Sequence, residues 1–536
     1  MAEKLKVLGK KIEKAAQGTL LLLCIFIFCG LAYYSAGYTM AEIAGIPFPV
    51  DTQDNAGLNL LTLAAATGAV FLLRGIFQNE HLCFIRQRIS AWMPYIIGIV
   101  AIYVYIISVI WVINCHVAPD GDGHVLCSVA HRMITGNYVD MTNKGYTGGY
   151  TGYMVIFPHQ FSLLSVIHLI FSLFGPWKYE IFQHINAICM PILFFSGYKL
   201  LQLICGNLEA VIYYILFFLG CVPLFLYVPY VYGEIISITF TMVLMWQTIR
   251  YCKTGKKSCF LWGTLAIVLA CMVRKNSFIV LIAVGIVLLI HSLRKANPWG
   301  VVWVLVMALM VSGSDKLIHA YYEKASGIKV AGGVPYISWI RMGLQDTWAG
   351  PGWFDNSSIE AFKEHGYDTE QTAIAEKEQI REILKSMWED KAYSIDFFRR
   401  KILTQWNSPK YGYIYDIQNF DCEPEELPDL VSRIYYYDEI SVQAYLNRYQ
   451  FVLYFYAAMS AVVLFANRKK ESCLADYLLY IAIVGGFLFS ALWEASSRYV
   501  LPYVVYMVPL AAIGICQLTK ISDKQQLKSI CRKPPK

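Results

Sequence analysis

Long apolar segments alternate with polar ones along most of this chain. Thirteen apolar segments are recognisable, at residues 18–38, 57–77, 92–113, 153–174, 179–204, 208–228, 232–250, 259–273, 277–293, 298–318, 450–466, 474–492 and 498–518. Most of them reach the roughly 17–25 residues with which an α-helix crosses the apolar core of a bilayer. The pattern therefore predicts an all-α polytopic membrane protein.

The composition supports the same class of protein. Of the 536 residues, 57% are hydrophobic and 15% are charged, whereas a soluble protein carries about 25% charged residues. The N-terminus is rich in lysine, but no cleavage site of the A-x-A type follows the first apolar segment. We therefore predict that this segment is a retained helix and not a signal peptide.

The basic residues between the apolar segments predict the orientation of the chain, because lysine and arginine are enriched in cytoplasmic loops. Counting from the N-terminus places residues 114–150 outside, and counting back from the basic C-terminal tail places residues 319–450 outside. The two counts agree only if residues 150–201 contain an odd number of spans. We predict about 12 spans with both termini in the cytoplasm, and a segment 158–174 that lies along the outer surface. The alternative is that segment 208–228 does not cross.

Residues 319–450 are predicted to form a small, α-rich extracytoplasmic domain. They hold 21 acidic and 14 basic residues, a net charge of −7, whereas the rest of the chain has a net charge of +14. Charged and apolar positions alternate at helical spacing over residues 370–405. The predicted organisation is an N-terminal transmembrane region (1–318), this domain (319–450), and C-terminal transmembrane helices with a cytoplasmic tail (451–536).

A second polar stretch, residues 114–160, is called the polar island below. Val125, Val129 and Met133 are spaced as one apolar stripe on a helix of about three turns, and Gly136 is placed to end that helix. A helix this short cannot cross a bilayer, so we expect it to lie in the plane of the interface. Cys115 and Cys127 flank the Asp pair of the island. The sequence is compatible with a disulfide between them and with two free thiols.

Ionisable side chains at a membrane are costly and usually functional. The predicted orientation brings a set of them to the outer face, where they are expected to form a site: Asp120, Asp122, His124, His159, Glu234, Arg274, Lys275, Arg341, Glu494, Arg498 and Tyr499.

Asp122 is the main candidate for a general base. It lies between two glycines at the start of the island helix, where the backbone can approach a ligand closely. The alternative is that Asp122 only caps that helix. Asp120 is a weaker catalytic candidate, since Asp-Gly also favours a turn. The D-x-D spacing would also suit a divalent cation such as Mg²⁺ or Mn²⁺, with Asp122 and Glu234 as candidate ligands.

The remaining candidates each have a structural alternative. Glu234 begins an apolar segment, where a carboxylate is favoured by the helix dipole, but it could also assist a base. Arg274 and Lys275, like Arg498, suit the phosphate of an anionic lipid, although basic side chains also extend from a helix towards the interface. His159 follows a proline and has no neighbour at metal-ligand spacing. No P-loop, zinc pattern or basic run suited to nucleic acid occurs in the sequence.

Taken together, these residues resemble the GT-C superfamily of integral-membrane glycosyltransferases, in particular bacterial relatives of the polyprenyl-phosphate-mannose–protein mannosyltransferases and of the lipid A aminoarabinose transferases. The resemblance covers most of residues 90–320 and 450–518. It is carried by short motifs in a fixed order: Asp122 followed by VLCSVAHRMITGNY, then FPHQFSLL, VYGEIIS, MVRKNSF and EASSRYVLPYVVYMVPLAAIGI.

The resemblance implies a GT-C-like fold and a bacterial cell-membrane enzyme with its active site on the extracytoplasmic face. Such an enzyme transfers a sugar from a polyprenyl-phosphate carrier to a glycan, lipid or protein acceptor, with inversion and without a nucleotide. Asp122 would deprotonate the acceptor, with Asp120 and Glu234 as further catalytic candidates. The other roles implied are lipid-phosphate binding by Arg274, Lys275, Arg498 and Tyr499, and substrate binding by His159, Trp339, Arg341 and Trp348.

Two other functions use the same features. A polymerase or ligase would act on lipid-pyrophosphate-linked glycans at the same outer face. A flippase or other transporter would bind a lipid headgroup through the outer basic residues and would need no general base. Transporters of many folds contain two matching halves with broken helices, and we find no such symmetry in this sequence.

Overall fold

The computed structural model describes residues 2–42, 49–79, 83–142, 152–436, 440–467 and 473–530. Ten helices in this part of the chain are long and apolar enough to cross a membrane. Three shorter apolar helices accompany them, at Pro158–Phe174, Leu208–Gly220 and Ser258–Val273. The prediction of an all-α multi-pass membrane protein is thus confirmed.

The N-terminal part contains three long helices, a short hairpin and the helices of the polar island. The antiparallel strands of the hairpin pair Tyr38 with Gln53. The elements in chain order are α1 (Ala2–Gly37), β1 (Tyr38–Ala41), β2 (Val50–Gln53), α2 (Ala56–Gln78), α3 (Cys83–Cys115), α4 (Gly121–Ile134), α5 (Tyr153–Ile156) and α6 (Phe161–Phe174).

The central part is a series of packed apolar helices. Its elements are α7 (Glu180–Ile204), α8 (Leu208–Gly220), α9 (Val222–Leu226), α10 (Glu234–Thr254), α11 (Ser258–Val273), α12 (Phe278–Lys295) and α13 (Trp299–Ser326). The segment predicted as one helix over 208–228 is divided into α8 and α9, because Pro223 lies in the first turn of α9 and cannot continue the hydrogen bonding of α8.

Residues 327–436, called the polar domain below, connect α13 to the last apolar helices. The prediction of a helix over 370–405 is confirmed, with a break at Asp390, whose side chain accepts a hydrogen bond from the Tyr393 amide and caps the second helix. The elements are α14 (Tyr336–Gly343), β3 (Asp346–Thr347), β4 (Gly350–Pro351), α15 (Ser357–Glu364), α16 (Thr369–Glu389), α17 (Lys391–Trp406), α18 (Tyr413–Asp416) and α19 (Asp429–Val431), followed by α20 (Ile440–Ala466), α21 (Leu478–Leu492) and α22 (Leu501–Ile530).

The two ends of the helix bundle have different chemistry. At one end, called the ion-pair end, three salt bridges connect neighbouring helices and the turn before α21: Glu13 with Arg294 at 2.8 Å, Arg74 with Glu209 at 3.2 Å, and Lys253 with Asp476 at 2.6 Å. At the opposite end, called the site end, the Glu42 carboxylate accepts hydrogen bonds from the Ser497 hydroxyl at 2.7 Å and from the Gly412 amide at 2.9 Å.

The island helix and α6 lie side by side at the site end. The predicted stripe is confirmed, since Val125, Val129 and Met133 are all buried on α4. Before α6, the Gln160 amide contacts the Tyr232 hydroxyl. After α6, the Trp177 ring lies 5.5 Å from the ring of His124, near the start of α4. Both ends of α6 therefore contact groups at the site end.

Candidate functional site

A cavity of about 500 Å³ opens at the site end, within the range of roughly 300–1,000 Å³ that small-molecule sites occupy. Segments distant in the sequence meet around it. The residues that line it and that we had named from the sequence are Asp120, Asp122, His159, Arg274, Lys275, Trp339, Glu494, Arg498 and Tyr499. The structure thus brings most of the predicted site residues to one cavity, while their chemical roles stay predictions.

The two carboxylates of the island have different surroundings. Asp120 is the N-cap of α4, and its side chain accepts hydrogen bonds from the amides of Gly121 at 2.7 Å and Gln418 at 3.2 Å. Asp122 is the second residue of the helix, so the alternative of Asp122 as N-cap does not hold. The Asp122 carboxylate instead accepts hydrogen bonds from the hydroxyls of Tyr153 at 3.0 Å and Tyr232 at 3.3 Å.

These two phenols hold the Asp122 side chain in place. Burial raises the pKa of Tyr153 and of Tyr232 well above the usual range, and the nearby Asp122 carboxylate raises each further. Both hydroxyls therefore stay protonated and act as donors. The hydrogen bonds from two donors fix the position of the carboxylate, as a general base at a rigid site requires.

Gly123 determines how closely α4 approaches the cavity floor. A Cβ atom at this position would lie 2.5 Å from the carbonyl oxygen of Val231, which no ordinary side chain tolerates. The absence of a side chain lets the first turn of α4 rest directly on the turn before α10. This contact holds Asp122 beside Tyr232.

Arg274 and Arg498 form a pair of guanidinium groups around one buried carboxylate. The Oε1 atom of Glu234 lies 3.2 Å from Nη2 of Arg274 and 3.4 Å from Nε of Arg498. Arg498 also donates from Nη1 to Asp416 at 2.8 Å and to the Tyr230 hydroxyl at 2.7 Å. Glu234 is therefore placed to hold the two guanidinium groups, and it lines a smaller cavity of about 20 Å³ beneath the main one.

Two aromatic rings also hold the guanidinium groups. Arg274 lies 5.0 Å from the ring centroid of Tyr232 and 5.4 Å from that of Tyr499. The corresponding distances for Arg498 are 5.3 and 5.7 Å. Such contacts attract a cation to the ring face, and they keep two like charges side by side at the cavity wall.

The predicted metal ligands do not fit a metal site. Both arginines form ion pairs with the Glu234 carboxylate, and two phenols donate hydrogen bonds to the carboxylate of Asp122. Among the residues that the structure describes, no three His, Cys, Asp or Glu side chains are grouped as a metal ion would need. The residues present therefore do not support a divalent ion held by Asp122 and Glu234.

Lys275 and His159 lie at the edge of the cavity. The Lys275 ammonium is 2.5 Å from the carboxylate of Asp315 on α13, which also accepts a hydrogen bond from Ser162 at 2.6 Å. The His159 ring lies 6.3 Å from the ring of Tyr336. Both residues line the cavity, but Lys275 already has an acidic partner.

An aromatic wall faces these charged groups. The rings of Phe157 and Trp339 are stacked at 6.0 Å, and Trp339 is stacked on Phe354 at 6.4 Å. Trp348 and Arg341, which we had expected to bind substrate together with Trp339, lie elsewhere. The Trp348 side chain is 65% exposed, and neither residue lines the cavity.

Arg341 is buried inside the polar domain. Its Nε atom lies 2.5 Å from Oε2 of Glu376, and its Nη1 atom donates to the Ser357 hydroxyl at 2.9 Å. These contacts pair its charge fully within the domain. The expected role of Arg341 in substrate binding is therefore replaced by a structural one.

Residues 412–421 form one wall of the cavity, which no pattern in the sequence indicated. Asp416 and Gln418 line the cavity, and this segment is joined to the island by a bridge between Val117 and Phe420. The pairing connects residues some 300 positions apart, which no periodic pattern could reveal. Tyr153 and Tyr232 were also missed, although the run of tyrosines before Glu234 could have drawn attention to the second.

The cysteines flanking the Asp pair do not form a disulfide. Cys115 and Cys127 are both buried as free thiols. Of the two possibilities that the sequence left open, the structure therefore has the reduced one.

Comparison of the chain with protein-family models, with curated proteins and with solved structures found no match.

Proposed function

We propose that the cavity is the active site of a glycosyltransferase that moves a sugar from a polyprenyl-phosphate carrier to an acceptor hydroxyl. One observation carries the proposal. The carboxyl group of Asp122 and two guanidinium groups, those of Arg274 and Arg498, line one cavity of a size suited to a phosphorylated sugar. This set contains a base for the acceptor and cations for the leaving phosphate.

The proposed reaction uses these residues in a single displacement. The acceptor oxygen forms a bond to the anomeric carbon while Asp122 takes the proton of the hydroxyl. The bond between the anomeric carbon and the phosphate oxygen breaks on the opposite face, which inverts the configuration. Arg274 and Arg498 stabilise the charge that develops on the departing polyprenyl phosphate. The aromatic wall at Trp339 covers the apolar face of the sugar.

We propose that the chain crosses the membrane twelve times, with α6 lying in the outer leaflet and both termini in the cytoplasm. The proposed crossings are α1, α2, α3, α7, α8 with α9, α10, α11, α12, α13, α20, α21 and α22. The cavity and the polar domain then face the outside.

Substitution Asp122→Asn tests the catalytic role. The amide cannot take a proton, so transfer should fall by about 10²–10⁴-fold, the usual contribution of a general base. The measurement is release of free polyprenyl phosphate from a synthetic polyprenyl-monophosphate sugar in detergent or liposomes. Asp368→Asn, at the N-cap of α16 and outside the cavity, is the matched control, since asparagine caps a helix as well as aspartate does, and its activity should stay within a few-fold of the parent.

The same assay separates the competing functions. Full transfer by Asp122→Asn would remove this residue from the mechanism. Turnover of pyrophosphate-linked donors alone would indicate a polymerase or ligase. Movement of an intact sugar lipid across liposomes, with no polyprenyl phosphate released, would indicate a flippase.

A further inference from the structure

Glu494 presents a second carboxyl to the cavity from a rigid loop between α21 and α22. The Lys401 ammonium donates to the carbonyl oxygens of Ala491 at 3.0 Å and Trp493 at 2.8 Å. The Ala495 amide donates to the carbonyl of Gly352 at 2.7 Å. The backbone on both sides of Glu494 is therefore fixed while its side chain lines the cavity.

The Glu494 carboxyl differs from the other acids of the cavity wall. Glu234 and Asp416 are paired with guanidinium groups, and the phenols hold Asp122. Within the described residues, no hydrogen bond or ion pair engages the Glu494 side chain. This carboxyl is therefore free to contact a ligand.

The charges around Glu494 come from four other elements of the site. They are Asp122 on α4, Arg274 after α11, Lys401 on α17, and Arg498 with Tyr499 before α22. Burial and the negative charge of Asp122 raise the pKa of Glu494 to about 7, against the opposing effect of the arginines and Lys401. A substantial fraction of Glu494 is therefore in the acid form at neutral pH.

We propose that Glu494 is the proton donor to the leaving phosphate, a role that rests on the proposed glycosyl transfer. As the bond between the anomeric carbon and the phosphate oxygen breaks, the Glu494 proton passes to an oxygen of the departing polyprenyl phosphate. Asp122 has by then taken the proton of the acceptor hydroxyl. Transfer of that proton from Asp122 to Glu494 restores both groups, so atoms and charge balance over one turnover.

The protonation states required give the sign of the pH dependence. Transfer needs Glu494 in its acid form, so the rate falls as the pH rises through and above about 7. The rate at saturating donor should therefore have an alkaline limb that belongs to Glu494.

Glu494→Gln, with Glu494→Asp as the matched control, tests this assignment. Glutamine still donates a hydrogen bond but has no proton to transfer. We expect a loss of about 10²-fold in the rate at neutral pH together with loss of the alkaline limb, while donor binding and thermal stability stay close to the parent. The aspartate variant should recover part of the rate and keep an alkaline limb at a shifted pH.

Each result bears on a distinct claim. An alkaline limb that is unchanged in both variants would overturn the role of Glu494 while leaving glycosyl transfer in place. If only one variant folds, its pH profile alone decides, because either substitution must move or remove the limb. Failure of the parent protein to release polyprenyl phosphate from a monophosphate sugar at any pH would instead remove the proposed function itself.

Discussion

Arg341 and Arg498 have different roles in this protein, and their partners distinguish them. Arg341 is buried and enclosed by Glu376 and Ser357 within the polar domain. Arg498 donates hydrogen bonds to Asp416 and Tyr230 and forms an ion pair with Glu234, and its side chain still lines the cavity. The contacts of Arg341 are all within the domain and stabilise its structure, whereas Arg498 also faces the cavity, where its guanidinium group can contact a ligand.

Removal of the Arg341 side chain should destabilise the polar domain. Arg341→Ala leaves the Glu376 carboxylate buried without its cation, and breaking one partner of a buried pair costs about 3–5 kcal/mol. Thermal or denaturant unfolding in detergent measures this loss. Trp348→Ala, at an exposed position nearby, should change stability by less than about 0.5 kcal/mol, and equal effects of the two substitutions would contradict the assignment.

Replacement of Arg498 by lysine should impair the site without unfolding the protein. A single ammonium retains the charge but cannot keep the hydrogen bonds to Asp416 and Tyr230 together with the ion pair to Glu234, because these contacts need the forked geometry of a guanidinium. We expect donor affinity and transfer to fall by about 10–100-fold, the loss of one to two charge-assisted hydrogen bonds. Binding of the monophosphate donor by tryptophan fluorescence, with inorganic phosphate as competitor, gives the measurement. Unaltered donor affinity of the Arg498→Lys variant would show that Arg498 has only a structural role.

At the scale of elements, the position of α4 on the turn before α10 determines the site. The contact depends on Gly123, which lies against the carbonyl of Val231. Gly233 in turn lets the turn before α10 lie against the carbonyl of Val273 at the end of α11. The sequence pattern predicted α4 itself, since the stripe of Val125, Val129 and Met133 is regular. It could not decide which aspartate caps the helix, because Asp120 and Asp122 are each followed by a glycine. The positive φ of Gly121, 49°, makes Asp120 the cap and turns Asp122 into the cavity.

Gly123→Ala should separate α4 from that turn. The added methyl group meets backbone atoms that cannot move aside, so strain of about 1–3 kcal/mol is expected, with Asp122 displaced from Tyr232. Transfer activity and the unfolding midpoint should both fall. Gly98→Ala on α3, where a Cβ atom meets nothing within 4 Å, is the control, and alanine should leave both properties near those of the parent. A neutral effect at Gly123 would mean that the two elements are not in close contact.

At the scale of the whole molecule, the apolar pattern predicted the helices but not the joints between distant segments. All thirteen apolar segments are helical, because burial in lipid requires every backbone group to bond within its own helix. The wall at residues 412–421 is joined to the island through Val117 and Phe420. The hydrophobic pattern does not predict this pairing. The pairing follows from the packed fold and becomes visible only in three dimensions.

The proposed path of the chain is open to a labelling experiment. Cysteines introduced at Lys178, Asp390 and Lys257, all exposed positions, should divide into two groups. An impermeant thiol reagent added to intact cells should attach one additional label to the first two variants relative to the parent, and none to the third until the membrane is opened. Labelling of the Lys178 variant only after opening would mean that α6 crosses the bilayer.

The adjacent placement of α4 and α6 at the site end has a mechanical consequence. In the proposed topology, the two helices add lateral area at the outer leaflet and none at the inner one, which would make the protein broader on that side. A wedge-shaped inclusion of this kind bends the surrounding sheet of lipid and is drawn to regions that are already curved. The distribution of this protein over a cell surface would then depend on membrane shape as well as on the supply of its substrate.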